Sequence, residues 1–337
     1  MKMIYGTMRM MDFVIALGDL FMPRACLACG CRLGMRERHL CLSCAADVPY
    51  TRFWLAAHNP LADRFNAVLE RHRGTEPMDY AYAAALIYYK GAYRSIPRAL
   101  KYQGNLAAGR HYGALLGRRL AAAPHFADID LVIPVPLHWT RLRSRGYNQA
   151  EVLARALADA FRATTPPAAL STASSSGTSE RWPVGAGYDE ETTPTTASPG
   201  TPSTVLLGTP STVIPGLTRN LPEVRTDLLV RVRRTRTQTR VSVDQKAQNV
   251  ASAFQVPDRF PLWARLTSRL DRESPATILA SARHILLVDD TYTTGATLYA
   301  CYAALRPFTA ARISIATLAA VEGTPSMEGP PSGTGGS

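Results

Sequence analysis

The run Ile285-Leu286-Leu287-Val288-Asp289-Asp290-Thr291-Tyr292-Thr293-Thr294-Gly295-Ala296-Thr297 constrains the fold more than any other stretch. Four consecutive apolar residues predict a strand covered on both faces. Two carboxylates at its carboxyl end cannot join that core, so they face a crevice. Thr293, Thr294, Gly295, Ala296 and Thr297 then offer closely spaced N–H groups, hydroxyls and a glycine that permits close backbone approach. Residues 298–305 continue as a helix, whose N-terminal amides form a ready anion site. Asp289 and Asp290 to hold sugar hydroxyls, beside amides to hold a phosphate, describe a pocket for a phosphorylated ribose. No Gly-Lys-Ser/Thr follows, so this is not a Walker loop.

The rest of the chain must supply the layers around that strand. At 337 residues it can bury a sizeable core and suggests two domains, or one with appendages. A formal net charge of +12 favours anionic partners such as phosphates, pyrophosphate or nucleic acid. No apolar run reaches the roughly 18 residues needed to span a bilayer, which excludes membrane insertion. Asp12 and Asp19 interrupt the apolar N-terminal stretch, which argues against a secretory signal and for a cytoplasmic protein.

Five of the six cysteines fall between Cys26 and Cys44. Cys26-x-x-Cys29 and Cys41-x-x-Cys44 have the spacing of two knuckles that direct four thiolates at one ion, a closed structural zinc site. A disulfide pair is the alternative, and a reducing compartment favours zinc. Cys31 and His39 are spare potential ligands; Cys31 is placed on the ribbon surface, although it could substitute for a neighbour. A module this short has too little core to fold without the ion. Residues 13–22 are expected to pack beside it as a helix. Cys301 reads as a small core residue.

Along the chain, residues 51–77 read as a linker and residues 81–89 as a strand. Ser95 is expected to cap a helix running through Lys101, followed by a helix over 106–122. Residues 131–133 form a short strand ending in Pro134-Val135-Pro136, and a basic loop leads to a helix over 149–162 with Ala150, Leu153, Ala154, Leu157 and Phe161 on one face. Residues 164–222, rich in Thr, Ser, Pro and Gly, read as a disordered insertion. A strand over 227–232, a basic loop over 233–240 and a short helical piece over 250–254 come next, and a final strand covers 313–318. The tail, 321–337, reads as disordered. Strands alternating with helices predict an α/β fold, a mostly parallel sheet covered by helices on both faces. Residues 78–163 and 223–320 would form its two parts, with residues 1–52 as the N-terminal helix and ribbon.

Five blocks occur in order: PRACLACG with LCLSC, ALKYQGN, VIPVPLHWTRLRSRGYNQA, RRTRTQTRVSVDQKAQNVASAF and ILLVDDTYTTGAT. Together they resemble the ComF/GntX-type family, phosphoribosyltransferase-like proteins with an N-terminal double-knuckle zinc ribbon. The resemblance implies a type I phosphoribosyltransferase fold that binds phosphoribosyl pyrophosphate (PRPP) or a related ribose 5-phosphate. It implies that Asp289 and Asp290 hold the ribose hydroxyls and that Thr293 to Thr297 surround the 5′-phosphate. Val135 and Pro136 would fall on a pyrophosphate loop, near Arg145, Asn148 and Gln149. Residues 234–249 look like the mobile hood of such folds, with Lys246 where relatives usually have Arg, which keeps the charge but loses bidentate phosphate binding.

Transfer of a phosphoribosyl group breaks the bond between the anomeric carbon and pyrophosphate. The leaving group's charge must be neutralised by Mg²⁺ and by cationic side chains, for which Arg145 and Lys101 are candidates. Purine-salvage relatives carry Asp at the position of Thr293, and Thr is no general base at neutral pH, so that acceptor class is disfavoured. Three activities fit: a pentosyl transferase with an unidentified acceptor, a PRPP- or nucleotide-responsive protein without turnover, and a nucleic-acid-handling protein. The last follows from the family's link to DNA uptake in natural competence. Its expected partners are single-stranded DNA, held through Arg233, Arg234, Arg236 and Arg240, and a helicase-like protein.

Overall fold

A computed structural model of the chain describes residues 23–72, 79–164, 222–233, 253–260 and 274–323. Its strands are β1 (Ala83–Tyr88), β2 (Leu131–Pro134), β3 (Glu223–Val224), β4 (Val230–Arg231), β5 (Phe254–Gln255), β6 (His284–Tyr292) and β7 (Arg312–Ala320). The α-helices are α1 (Leu42–Ala46), α2 (Pro60–Arg71), α3 (Ser95–Tyr102), α4 (Leu106–Ala121), α5 (Trp139–Arg145), α6 (Gln149–Thr164), α7 (Pro275–Ser281) and α8 (Ala296–Leu305). Five strands form one sheet in the order β1-β7-β6-β2-β3. Every pairing in it is parallel, and β4 and β5 form a separate antiparallel pair. This is the α/β architecture expected from the alternation of strands and helices.

Period-2 alternation makes the central strands apolar on both sides. In β6, Ile285 and Leu287 join one core with Phe65, Leu298 and Leu305, while Leu286 and Val288 join a second with Leu116, Leu153 and Leu157. The second core rests on α4 and α6, which approach closely because a Cβ at Gly113 would lie 2.8 Å from the Leu153 carbonyl. A larger residue there would force the helices apart.

The cysteine module is built into this second core. Cys26, Leu33, Leu40 and Trp54 are buried with residues of α4 and of the sheet. The chain leaving the module then runs antiparallel along β1: Tyr88 N–H donates to Pro49 O at 2.9 Å and Thr51 N–H to Leu86 O at 3.1 Å. These bonds cover an edge that would otherwise expose unpaired backbone.

Four features differ from the sequence reading. Residues 51–77, taken as a linker, contain α2. Asn59 caps it, its Oδ1 accepting from Leu61 N–H at 3.1 Å and Ala62 N–H at 3.0 Å, with Pro60 in the first turn. Leu61, Phe65 and Leu69 recur at helical spacing and bury against the sheet. In 227–232 only Val230–Arg231 is strand. Leu228 and Leu229 are both buried, and a buried bidentate contact from Arg225 Nε (2.9 Å) and Nη2 (3.0 Å) to Asp227 bends the chain before them. Residues 253–254, expected to be helical, enter strand β5 instead. Ser95 lies inside α3 rather than capping it; Arg94 is at the cap. The expected helix over 13–22, the hood over 234–249 and almost all of the insertion and tail lie outside the described residues.

Candidate functional site

The strand order places a natural crevice beside β6. From β6 the chain proceeds to β7 on one side, whereas from β2 it proceeds to β3 on the other. Ligands in such sheets bind at the carboxyl ends of strands where the winding reverses. β2 stops at Pro134, opposite Val288, so β6 projects past it with Asp289, Asp290 and Thr291. Only Val135 follows, donating its N–H to Val288 O at 2.9 Å.

Adjacent strand residues point to opposite sides, so the two carboxylates straddle the strand end. Asp290 is buried and its Oδ1 lies 2.9 Å from Lys101 Nζ of α3. Lys101 also donates to Thr291 Oγ1 at 3.3 Å. Burial works against the Lys101 charge, but Asp290 and then Asp289 outweigh it and hold the ammonium above its ordinary pKa. Asp290 Oδ2 is buried and has no hydrogen-bond partner among the described residues. Asp289 Oδ1 accepts from Asp290 N–H at 2.7 Å. Loss of water, then the Asp290 charge, push the Asp289 carboxyl up to about 7, against the pull of Lys101. Lys101 offers one ammonium to the two carboxylates, and the charge of Arg231 also reaches Asp289.

After Tyr292 the chain turns tightly into α8. Gly295 has φ +81° at the helix cap, and a Cβ there would meet the Tyr292 hydroxyl at 2.6 Å. A small depression beside this turn is lined by Asp289, Thr291, Thr293, Gly295, Ala296 and Thr297. Arg64 of α2 holds the turn from behind, donating to Thr293 O at 3.0 Å and Val321 O at 2.8 Å. Its guanidinium also stacks 5.3 Å from the Tyr292 ring centroid. The sequence reading missed Arg64 because it missed α2; the Asn59-Pro60 pair and the Leu61, Phe65, Leu69 spacing are the signals that reveal it.

The RGYNQ block clips the ends of β2 and α3 together. Asn148 Nδ2 donates to Val135 O at 3.0 Å, and Tyr147 Oη donates to Leu100 O. Arg145 donates to Oε1 of buried Gln149 at 2.9 Å and sits 5.5 Å from the Tyr102 ring centroid. Lys101, Asp289, Asp290 and the 293–297 turn therefore share one strand end. Val135 and Asn148 border it, half-buried Pro136 follows Val135, and Gln149 orients Arg145. Arg231, which the sequence reading left without a role, also lies near Asp289, whose carboxyl its charge lowers.

At the ribbon, the Sγ atoms of Cys26, Cys29, Cys31 and Cys41 all lie within 4.8 Å of one another. Cys31 thus sits in the cluster, whereas Cys44, expected as a ligand, lies outside that quartet. Tetrahedral Zn–S bonds of about 2.3 Å require Sγ atoms about 3.8 Å apart. Cys29 and Cys41 are separated by 3.8 Å, so the donor set fits zinc. Burial opposes the Cys26 thiolate, but the N–H groups of Cys29, Cys41 and Ala28 outweigh it and bring the thiol down to about 6. A thiolate poised in this way is ready to bind metal.

A second polar cluster occupies the opposite end of β6. His284 Nδ1 lies 2.6 Å from Asp128 Oδ1, and its Nε2 lies 2.8 Å from Ser314 Oγ. The order resembles a hydrolytic triad, but His284 and Ser314 are wholly buried, so no substrate can reach the hydroxyl. The cluster is a structural tie between β6, β7 and the segment before β2.

These residues define an α/β protein with a five-stranded parallel sheet and an N-terminal four-cysteine cluster. No known family model matches the chain, and no curated protein matches it. Among the described residues, no helix is long and apolar enough to cross a membrane.

Proposed function

We propose that the chain binds PRPP, or a closely related ribose 5-phosphate, at the carboxyl end of β6, and acts as a pentosyl transferase on an acceptor still to be identified. The observation that carries this reading is the Asp289-Asp290 pair beside a glycine-bent turn that opens α8. The carboxylates suit two vicinal ribose hydroxyls, and the turn offers backbone N–H groups to a 5′-phosphate.

Mg²⁺ fits the same residues, being a hard cation that takes carboxylate and phosphate oxygens. Bound with the donor, it would neutralise charge on the pyrophosphate. Lys101 holds Asp290 in place and adds a positive charge at the strand end. Arg145, steadied by Gln149, is suited to the pyrophosphate side. The four-cysteine cluster is proposed to hold one structural zinc ion, which ties the ribbon to the domain beneath it.

Titration calorimetry with PRPP and Mg²⁺ tests the reading, followed by an acceptor screen that records pyrophosphate release. Saturable binding is expected; a folded wild-type protein that does not bind PRPP overturns both the transferase and the sensor form of the proposal. Single-stranded DNA and a helicase-like protein remain proposed partners on the sequence resemblance alone, since Arg234, Arg236 and Arg240 lie outside the described residues. Salt-dependent DNA binding, weakened by neutralising those arginines, would support that second role.

A further inference from the structure

Two demands meet at Cys41. It is the N-cap residue of α1, a position where a Ser, Thr, Asp or Asn side chain normally accepts from the amides of the first turn. Its sulfur instead belongs to the four-cysteine cluster, 3.8 Å from Cys29 Sγ, and makes no cap hydrogen bond. One sulfur cannot serve the cap and an ion at once. With only five residues, α1 has few internal bonds to offset an uncapped end.

Glu37 takes over the cap. Its Oε1 accepts from Leu42 N–H at 2.6 Å, which satisfies the first amide of α1. Its Oε2 accepts from Gly34 N–H at 2.6 Å, on the chain returning from the first knuckle. One carboxylate therefore joins the arms that carry the two Cys-x-x-Cys pairs. The turn beneath it is closed by Glu37 N–H donating to Gly34 O at 3.1 Å. Arg24 grips the same turn, its Nη1 donating to Glu37 O at 2.7 Å and its Nη2 to Gly34 O at 3.2 Å. Beside the cap, Cys41 N–H donates to the sulfur of Cys26 at 3.4 Å, so the second knuckle is held on both sides of Cys41.

We propose that Glu37 is a positioning residue of the ribbon's metal site: it caps α1 in place of Cys41 and ties the two knuckles together, which leaves the Cys41 sulfur for the ion. The proposal rests on the zinc reading of the ribbon. Both Glu37 oxygens are engaged by backbone N–H groups, so the residue acts through them and not as a ligand. Groups that orient metal ligands in this way typically contribute about 10–100-fold to metal affinity. Both bonds are open to solvent, which places the expected effect at the lower end.

The test measures the Co²⁺ affinity of the full chain by competition with a chelator, with circular dichroism to confirm the fold. Glu37→Ala should weaken Co²⁺ binding about tenfold. Glu37→Gln keeps one acceptor oxygen and should fall between Ala and wild type; it carries the same comparisons if Glu37→Ala does not fold. Leu42→Pro isolates the cap. Proline suits the first position of a helix, Cys41 is already extended at φ −69° and ψ 163°, and the Leu42 side chain is exposed, so this change removes little besides the N–H. It should weaken binding by itself, and Glu37→Ala should then cost less than it does in wild type. A Glu37 that only stabilises the fold would lower the urea midpoint of the metal-free chain and leave the Co²⁺ affinity of the folded form unchanged. That result overturns the proposal, as does an equal cost of Glu37→Ala with and without Leu42→Pro, and both leave the zinc reading standing. A folded wild-type chain that binds no Co²⁺ overturns the two together.

Discussion

The two ends of β6 each carry a buried polar group, and they are opposite in character. At the amino end, His284 has a partner on each ring nitrogen, and the neighbouring Asp130 accepts from Arg283 N–H at 2.9 Å and His284 N–H at 3.1 Å. At the carboxyl end, Asp289 and Asp290 lie side by side near Lys101, and Asp290 Oδ2 has no hydrogen-bond partner among the described residues. The His284 cluster therefore ties the sheet at one end, while at the other Asp290 Oδ2 is without a hydrogen-bond partner among the described residues, as is Arg312 Nε beside His284.

The strongest way to break this contrast is to remove the carboxylates. Asp289→Ala with Asp290→Ala should weaken PRPP binding at least about a hundredfold, since each hydrogen bond to a charged group contributes about 1.5–3 kcal/mol. Circular dichroism should show the fold retained. Unchanged affinity would remove the site from this end of the sheet.

His284→Ala probes the other end. It leaves the buried Ser314 hydroxyl and Asp128 without their partner and should cost about 3 kcal/mol in urea denaturation, with PRPP affinity unchanged in the folded fraction. A loss of affinity without loss of stability would mean that the two ends do not divide the labour.

Asp289→Asn should do the reverse. Removing one of two adjacent like charges should stabilise the protein by about 1 kcal/mol while lowering affinity, as expected where a site is strained for function. The pH dependence carries the same signature. Asp289 lies above its ordinary value of 3.8, at about 7, so the folded state binds the extra proton. Its stabilising contribution is present at low pH and lost as pH rises through about 7. Asp128 is held below 3.8, chiefly by its hydrogen bond to His284, so its contribution is present above that value and lost as pH falls through the lowered one. Urea midpoints should thus show opposing slopes, the first abolished by Asp289→Asn and the second by Asp128→Asn.

The smallest effect is expected from Arg64→Ala. Arg64 bonds the backbone of the turn and of Val321 after β7 and stacks on Tyr292, so its loss should weaken donor binding about fivefold, equivalent to about 1 kcal/mol. Arg64→Lys should restore only part of it, because Lys cannot bond two carbonyls with one planar fork.

Legibility in the sequence followed how local each signal was. The four apolar residues before Asp289, the turn around Gly295 and the cysteine knuckles carry their meaning within a few positions, and the α/β class follows from their alternation with helices. Lys101 could be named only as one basic residue among many; its ion pair with Asp290 joins residues 189 positions apart. Helix α2 was signalled by Asn59-Pro60 but hidden by polar neighbours, and with it Arg64. The bend at Asp227 depends on a charge pair whose burial no local pattern reveals.

By itself, the sequence determined the buried strand, its two terminal carboxylates, the glycine-bent turn and the supply of thiols, because period, charge and turn chemistry are properties of neighbouring residues. The tertiary structure alone decided which cation meets Asp290, which oxygen is left without a partner, that Cys31 joins the cysteine quartet, and that the ribbon shares the core of the domain. Those outcomes depend on groups far apart in the chain meeting where water is excluded, and only packing can bring them there.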